Sequence, residues 1–274
     1  VVGNKDNDYT IGKAEKEKQV IVVGGGVAGV EAARIAAICG HRVSLYERSG
    51  QIGGQIFQAM APPHKENMKP LIAYLEKQLS IHNVEVHLNA ELTAEEIISR
   101  KPDAVVCATG VRPSVLPIPG FDRAVHAKDI LDGGECKENA VIIGGGSVGC
   151  ETAEYLAEQG KKVTVIEMLD TMADKMTNVA RTILIGHLKG LGVKLLTSCN
   201  CKEITEDTVV CELDGRELRI PAETVIAAVG DRPNDSLYQE LRGKVEELYN
   251  VGDSACPDSI AAAVSQGYYC GRNI

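Results

Sequence analysis

The sequence predicts an α/β chain in which one parallel-sheet design is used twice. Three observations carry that expectation. A buried strand, a glycine-rich turn, an apolar helix and a second strand ending on an acid follow one another from Val20 to Glu47. The same succession returns from Ala140 to Glu167. The chain has 274 residues, 44% of them hydrophobic and 24% charged, which suits two globular domains with a core in each.

Each part of the first succession has a physical reason. Val20, Ile21, Val22 and Val23 are β-branched and suit a short buried strand. Gly24, Gly26 and Gly29 then form a Gly-x-Gly-x-x-Gly turn. Gly24 lets the chain turn sharply, Gly26 lets backbone approach a pyrophosphate with no Cβ in the way, and Gly29 lets the helix lie close to the sheet. A helical run from Val30 to Cys39 stops at Gly40, and a strand from Arg42 to Tyr46 ends on Glu47. The helix N-terminus offers free N–H groups and about half a positive charge to phosphates. Glu47 stands where a carboxylate accepts hydrogen bonds from ribose hydroxyls. The glycine motif alone is a weak signal. Strand, turn, helix, strand and acid in this order specify a Rossmann-like dinucleotide-binding domain.

Composition excludes several function classes. The chain has no Trp and two Phe, which argues against stacking platforms for single-stranded nucleic acid. A formal charge of −9 argues against a phosphate-backbone partner. No apolar run approaches the ~20 residues of a membrane helix. No basic segment followed by an apolar one opens the chain, so a cytoplasmic location is expected. The nine cysteines include no C-x-x-C pair and no zinc or iron–sulfur spacing, so no metal site is expected. Most read as small buried hydrophobes in a reducing compartment. Cys199 and Cys201, two apart, would share one face of a strand.

Taken in order, residues 1–18 are polar and read as a lead-in arm or a tail. After the first unit come the turn Gly53-Gly54-Gln55 and a Pro62-Pro63 break. Met68, Leu71, Ile72, Leu75 and Leu79 have helical spacing, Val84 to Leu88 reads as a strand, Glu91 to Ser99 as a short helix, and Ala104 to Ala108 as a buried strand. Pro113, Pro117 and Pro119 force an extended crossing, and Ala127 to Leu131 suits a short helix. Following Glu167, Leu169 to Thr177 is expected to be mobile, and Asn178 to Leu191 forms an amphipathic helix. Strands are expected over 193–196, 202–204, 209–213 and 217–220, with Asp214-Gly215 as a hairpin turn, then over 224–229. Val251-Gly252-Asp253 ends a last strand, and a helix from about Ser259 to Cys270 closes the sequence.

The second unit overlays the first when 120 is added to each number. Gly24, Gly26 and Gly29 fall on Gly144, Gly146 and Gly149, Glu31 on Glu151, Gly40 on Gly160, and Glu47 on Glu167. Gly110, Arg112 and Pro113 fall on Gly230, Arg232 and Pro233. Two domains of one design explain this register, with the second inserted into the first: residues 19–133 and 231–274 for one, residues 134–230 for the other.

These motifs resemble the two-dinucleotide-binding-domain flavoproteins, and most closely the C-terminal half of NADH:flavin oxidoreductases with an old-yellow-enzyme barrel. That group includes 2,4-dienoyl-CoA reductase, enoate reductases and trimethylamine dehydrogenase. The likeness covers residues 19–274, with signposts at Gly53-Gly54-Gln55, Ala108-Thr109-Gly110, Pro117-Ile118-Pro119-Gly120, Cys150 to Gly160, Ala228-Val229-Gly230 and Gly252-Asp253. It implies FAD in the first domain. Gly24, Gly26 and Gly29 would hold the pyrophosphate and Glu47 the ribose, with Gly54 and Gln55 beside the phosphates. Leu92 would offer backbone to the adenine. Thr109 and Gly110 would line the crossing, Asp253 would hydrogen-bond a ribityl hydroxyl, and the last helix near Ile260 and Ala261 would face the flavin pyrimidine.

By the same resemblance the inserted domain takes NADH, on Gly144, Gly146, Gly149, Glu167 and Gly230. Glu151 would stand near the nicotinamide amide or be a surface helix residue. A 2′-phosphate within ~4 Å of Glu167 would be repelled by ~4 kcal/mol per charge pair at an effective dielectric near 20, so NAD is preferred over NADP. The family's FMN barrel and four-cysteine iron–sulfur cluster are not in this sequence, and no cysteine pair stands where disulfide reductases need one. The resemblance therefore implies a fragment or separately made domain that takes hydride from NADH onto FAD. Its electrons would pass to an FMN/iron–sulfur domain or a separate acceptor, with no catalytic acid or base of its own. The alternatives are a non-catalytic scaffold holding ADP, or a free-standing reductase of a small redox protein.

Overall fold

The computed structural model describes residues 11–274, in two compact units. One holds the chain as far as Ile56, with Met68–Arg112 and Arg232–Ile274; the other holds Phe57–Asn67 and Pro113–Asp231. Of the lead-in arm, residues 1–10 lie outside the described residues. Beyond them, Ala14 N–H donates to the Cys39 carbonyl at 2.8 Å and Lys18 N–H to His41 Nδ1 at 3.1 Å. The end of the arm is thus tied along the first unit.

The first unit opens with β1 (Gln19–Val23), α1 (Val27–Cys39) and β2 (Arg42–Tyr46). Helix α1 ends on Gly40, whose φ of +105° closes the last turn with bonds to Ala36 and Ala37. A short helix α2 (Ile56–Met60) carries the chain away; α3 (Lys69–Ile81), β3 (Glu85–His87), α4 (Ala94–Arg100) and β4 (Ala104–Cys107) follow. Leu75 and Leu79 are the buried positions of α3, as their spacing requires. Thr93 and Glu96 form a reciprocal capping box that starts α4. The short β5 (Val111–Pro113) leads out.

The second unit contains β6 (Val125–His126), α5 (Ala127–Leu131), β7 (Asn139–Ile143), α6 (Ser147–Glu158), β8 (Lys162–Ile166), α7 (Asn178–Gly190) and β9 (Lys194–Leu196). An antiparallel sheet of β10 (Cys199–Ile204), β11 (Thr208–Leu213) and β12 (Arg216–Pro221) follows, and β13 (Thr224–Ala227) completes the parallel sheet β6-β13-β7-β8-β9. Alternating residues of β7 feed two cores. Ala140 and Ile142 join Cys150, Leu156, Leu184 and Leu188 of the helical side. Val141 and Ile143 join Cys199, Cys201, Val209 and Cys211 of the antiparallel sheet. Cys199 and Cys201 therefore do share a face. Asp214 and Gly215 turn the hairpin at φ +51° and +72°.

The chain returns through β14 (Asp231–Pro233) and α8 (Ser236–Leu241) to β15 (Glu247–Asn250), then α9 (Ile260–Asn273). Strand β15 is the fifth of a parallel sheet in the order β15-β4-β1-β2-β3. On one face, Ile21, Val23, Val105 and Cys107 cluster with Leu92, Ile97 and Leu241. On the other, α1 and α9 meet at backbone distance, since a Cβ on Gly267 would stand 2.3 Å from the Ala28 carbonyl oxygen and one on Gly271 2.5 Å from that of Ala32.

The division differs from the boundary at 133–134 expected from sequence. Strand β6 pairs in parallel with β13, and Phe121 joins the core that holds Ile143 and Ile204, so the whole proline-rich crossing from Pro113 belongs to the second unit. The segment 57–67 does too. Gln58 Nε2 donates to Asp132 Oδ1 at 2.6 Å, and Lys65 Nζ lies 2.5 Å from Glu151 Oε1. No helix among the described residues is long and apolar enough to cross a membrane.

Candidate functional site

Each parallel sheet ends in a cradle of the same construction. In the first, Gly24 leaves β1 at φ +111° and donates its N–H to the Tyr46 carbonyl at 2.8 Å. A Cβ there would stand 2.2 Å from the Ala108 oxygen, and one on Gly29 would stand 2.0 Å from the Gly24 oxygen. Both glycines are demanded by the fold. Gly26 is different: a Cβ there would meet nothing within 4 Å. It is the N-cap of α1, no side chain caps the helix, and its first turn carries no acid. The N–H groups of that turn are left for an anion.

Glu47 stands beside this turn, its Oε2 accepting from Gly25 N–H at 2.6 Å and its Oε1 from Ser49 N–H at 2.7 Å. Each oxygen keeps a lone pair for a hydroxyl donor. Gly53 N–H donates to the Gly25 carbonyl at 2.8 Å, and Gly54, at φ +54°, lies so close that a Cβ would be 2.9 Å from Gly26 Cα. The next residue, Gln55, reaches Asp253 Oδ2 with its Nε2 at 2.9 Å. Gly252 N–H is held by Gln266 Oε1 at 2.7 Å.

The other expected residues of this unit have mixed fates. The Thr109 hydroxyl is already spent on the Asn234 carbonyl at 2.6 Å, and the Gly110 carbonyl accepts from Asn234 N–H at 2.9 Å. These two residues clasp the returning chain. Leu92 buries its side chain in the core, which leaves only its backbone for a ligand. Ala261 is exposed in the first turn of α9, whose cap is Ser259, with Oγ accepting from Ala262 N–H at 3.2 Å.

The second cradle repeats the first bond for bond. Gly144 has φ +103° and donates to the Ile166 carbonyl at 2.9 Å; a Cβ on Gly149 would stand 1.9 Å from the Gly144 oxygen. Gly146 caps α6 with no side-chain cap and open space where a Cβ would be. Glu167 Oε2 accepts from Gly145 N–H at 2.6 Å and Oε1 from Leu169 N–H at 2.8 Å. The stretch after it, expected to be mobile, instead packs back on the glycine turn. Ala173 N–H donates to the Gly145 carbonyl at 2.7 Å, and Met172 is buried with its sulfur over Gly145. The register of the repeat thus runs on through Ile52-Gly53 and Met172-Ala173, which sequence comparison missed because no residue identity marks it. Glu151 is ion-paired with Lys65 rather than a free surface acid, and Gly230, at φ +84°, accepts from Ser114 N–H at 3.1 Å.

Three buried thiols are held in the protonated, non-nucleophilic form. All nine are free, and burial pushes those of Cys107, Cys150 and Cys270 up to about 12. Among the described residues no group of three or more His, Cys, Asp or Glu could hold a metal ion. Two uncapped helix N-termini, each with a Cβ-free approach and a braced carboxylate one strand away, fit two adenine dinucleotides.

Comparison with known proteins gives the same picture. The family described as pyridine nucleotide-disulphide oxidoreductase matches residues 95–267, and the FAD dependent oxidoreductase family matches residues 19–113. The chain belongs to the pyridine nucleotide-disulphide oxidoreductase family. It is 35% identical over 274 residues to a cinnamate reductase of Clostridium sporogenes, covering 98% of this chain and 41% of that protein. An NADH oxidase of Thermoanaerobacter brockii is 37% identical over 277 residues, covering 97% and 42%. A solved 2-naphthoyl-CoA reductase superposes with a TM-score of 0.94 at 34% identity, over 98% of this chain and 42% of that one. The chain spans less than half the length of these relatives. It is an FAD-dependent oxidoreductase module, corresponding to the FAD- and NAD-binding part of old-yellow-enzyme-type reductases, and FAD and a pyridine nucleotide are its cofactors.

Proposed function

We propose that this module oxidises NADH at the second cradle and reduces FAD at the first, for an electron acceptor on an FMN/iron–sulfur domain of a larger enzyme. When bound, FAD would supply the hydride-accepting and one-electron chemistry. The chain's own residues bind and orient. Gly26 and the α1 N-terminus seat one diphosphate and Glu47 its ribose, with Gly54 and Asp253 further along and Thr109, Gly110, Leu92 and Ala261 around them. Gly146, Gly149 and the α6 N-terminus seat the other diphosphate, Glu167 its ribose, and Glu151 and Gly230 the nicotinamide end.

The observation that carries this reading is the doubled cradle: one frame, two uncapped helix ends and two carboxylates braced by the same pair of backbone donors. Glu167 supports NADH over NADPH, since residues 168–174 contribute no Arg or Lys to it. Nine cysteines with no C-x-x-C pair support a reducing compartment, hence the cytoplasm. In the test, chain reconstituted with FAD is mixed anaerobically with NADH. The yellow colour should bleach, and more slowly with NADPH. A chain that takes up ADP but no FAD would overturn the reading in favour of a nucleotide-holding scaffold.

A further inference from the structure

We propose that Gln55 is a positioning residue for the ribityl-binding carboxylate: it acts through Asp253, on the part of FAD beyond the diphosphate. The proposal rests on the assignment of the first cradle to FAD.

The C-terminal ends of the first sheet's strands set out a row. Glu47 follows β2, the glycine turn follows β1, and Gly252 and Asp253 follow β15, which lies two strands beyond β1 on the side away from β2. With neighbouring strands ~4.8 Å apart, β15 lies about 10 Å from β1. An ADP moiety with its ribose on Glu47 and its diphosphate on the α1 N-terminus is therefore followed, in the direction of β15, by whatever chain the second phosphate carries. In FAD that chain is ribityl, a run of hydroxyl donors, and Asp253 is the acceptor at that end of the row.

Gln55 fixes that acceptor. Its Nε2 donates to Asp253 Oδ2 at 2.9 Å, while Asp258 N–H donates to Oδ1 at 3.3 Å. Both oxygens are engaged once, so the carboxylate is held in rotation and keeps lone pairs for hydroxyls. Holding it beforehand removes an ordering cost from binding. The second unit acts as an internal control. Where the first has Gly54-Gln55, the repeat register has Asp174-Lys175, and the pairing of His126 with Ala227, like that of Asn250 with Cys107, sets Lys128-Asp129 against Gly252-Asp253, so the acid recurs and the glutamine does not. Gln55 is thus no part of the frame that both cradles share. It belongs to what differs between the two nucleotides, which is everything beyond their common ADP half.

Binding of FAD and of ADP to the full chain, measured by titration calorimetry, separates the possibilities. Gln55→Leu should weaken FAD about tenfold or more, the scale of a hydrogen bond to a charged group, and leave ADP within about twofold. In an Asp253→Asn background the further change Gln55→Leu should alter FAD affinity by less than about twofold, because two residues that act as one do not add. Equal losses for FAD and ADP would make Gln55 a mere support of its turn and overturn the proposal. So would multiplying losses in the double variant, or an unchanged FAD affinity. A wild-type chain that binds ADP without FAD would overturn the FAD assignment first, and the proposal with it.

Discussion

Glu47 and Glu167 each accept from a glycine N–H and from the N–H two residues beyond the acid itself, which fixes the carboxylate that is proposed to meet a ribose. A charge so placed discriminates against a 2′-phosphate. The full repulsion of ~4 kcal/mol at ~4 Å applies only at a protein-like dielectric, and water at the cleft reduces it. Glu167→Gln should therefore narrow the preference for NADH over NADPH about tenfold, read as the ratio of flavin reduction rates by the two nucleotides. Preference unchanged in this variant would mean that Glu167 is not the discriminating group. A different residue sets acid sensitivity. His41 is buried and accepts the Lys18 N–H on Nδ1, and burial, with the Lys18 charge behind it, lowers its pKa below the ordinary 6.5. The unfolded chain then binds the proton more readily. The stability this site contributes is present above pH 6.5 and is lost as pH falls through the lowered folded value. Wild-type protein should lose melting temperature on acidification below pH 6.5, and His41→Gln should lose less over the same interval.

Helices α1 and α9 pack more closely than side chains allow. Alanine for Gly267 would push a methyl to 2.3 Å from the Ala28 oxygen, and for Gly271 to 2.5 Å from the Ala32 oxygen, both backbone atoms with nowhere to move. Helix propensity favours alanine over glycine by up to ~1 kcal/mol, but overpacking of this kind costs ~1–3 kcal/mol or more. Gly267→Ala and Gly271→Ala should each lower the urea midpoint, whereas Gly186→Ala in α7, with nothing within 4 Å of the new methyl, should raise it. Stabilisation by all three would show that propensity and not packing governs these sites. The pattern of these elements bears on what the residues alone could reveal. Strand, turn, helix and acid were legible because each leaves a local chemical trace: glycine where a carbonyl is 2 Å from a would-be Cβ, β-branched runs in parallel strands, Asp-Gly in a hairpin. The fifth strand of each sheet was less so. Strand β6 has two residues and no pattern of its own; only its pairing with β13 draws 113–133 into the second unit. Segment 57–67 reads as a proline break, and its place is set by partners far along the chain, Asp132 and Glu151. The Gln55–Asp253 bond spans 198 positions, a separation at which sequence offers no spacing to read.

At the scale of the whole chain, two cradles of one construction ought to be separable by identical changes. Gly26 and Gly146 are the positions for this. Their backbones, at φ −71° and −65°, are open to any residue, and a Cβ on either meets nothing within 4 Å. The space it would enter lies over the first turn of α1 or of α6, where a diphosphate approaches the free N–H groups. Gly26→Ala and Gly146→Ala should consequently fold with wild-type melting temperatures, in contrast to Gly29→Ala and Gly149→Ala, whose methyls would strike the Gly24 and Gly144 oxygens. The added methyl should cost its own ligand about tenfold to a hundredfold in affinity, the usual scale of a steric conflict in a packed site. Gly26→Ala should then bind NADH normally while losing FAD. Gly146→Ala should be as yellow as wild type and bleach with NADH only at concentrations raised by the same factor. If Gly146→Ala were instead bleached at wild-type NADH concentrations, the second helix end would not be where the reductant's diphosphate sits. The division of labour between the two units would then have to be redrawn.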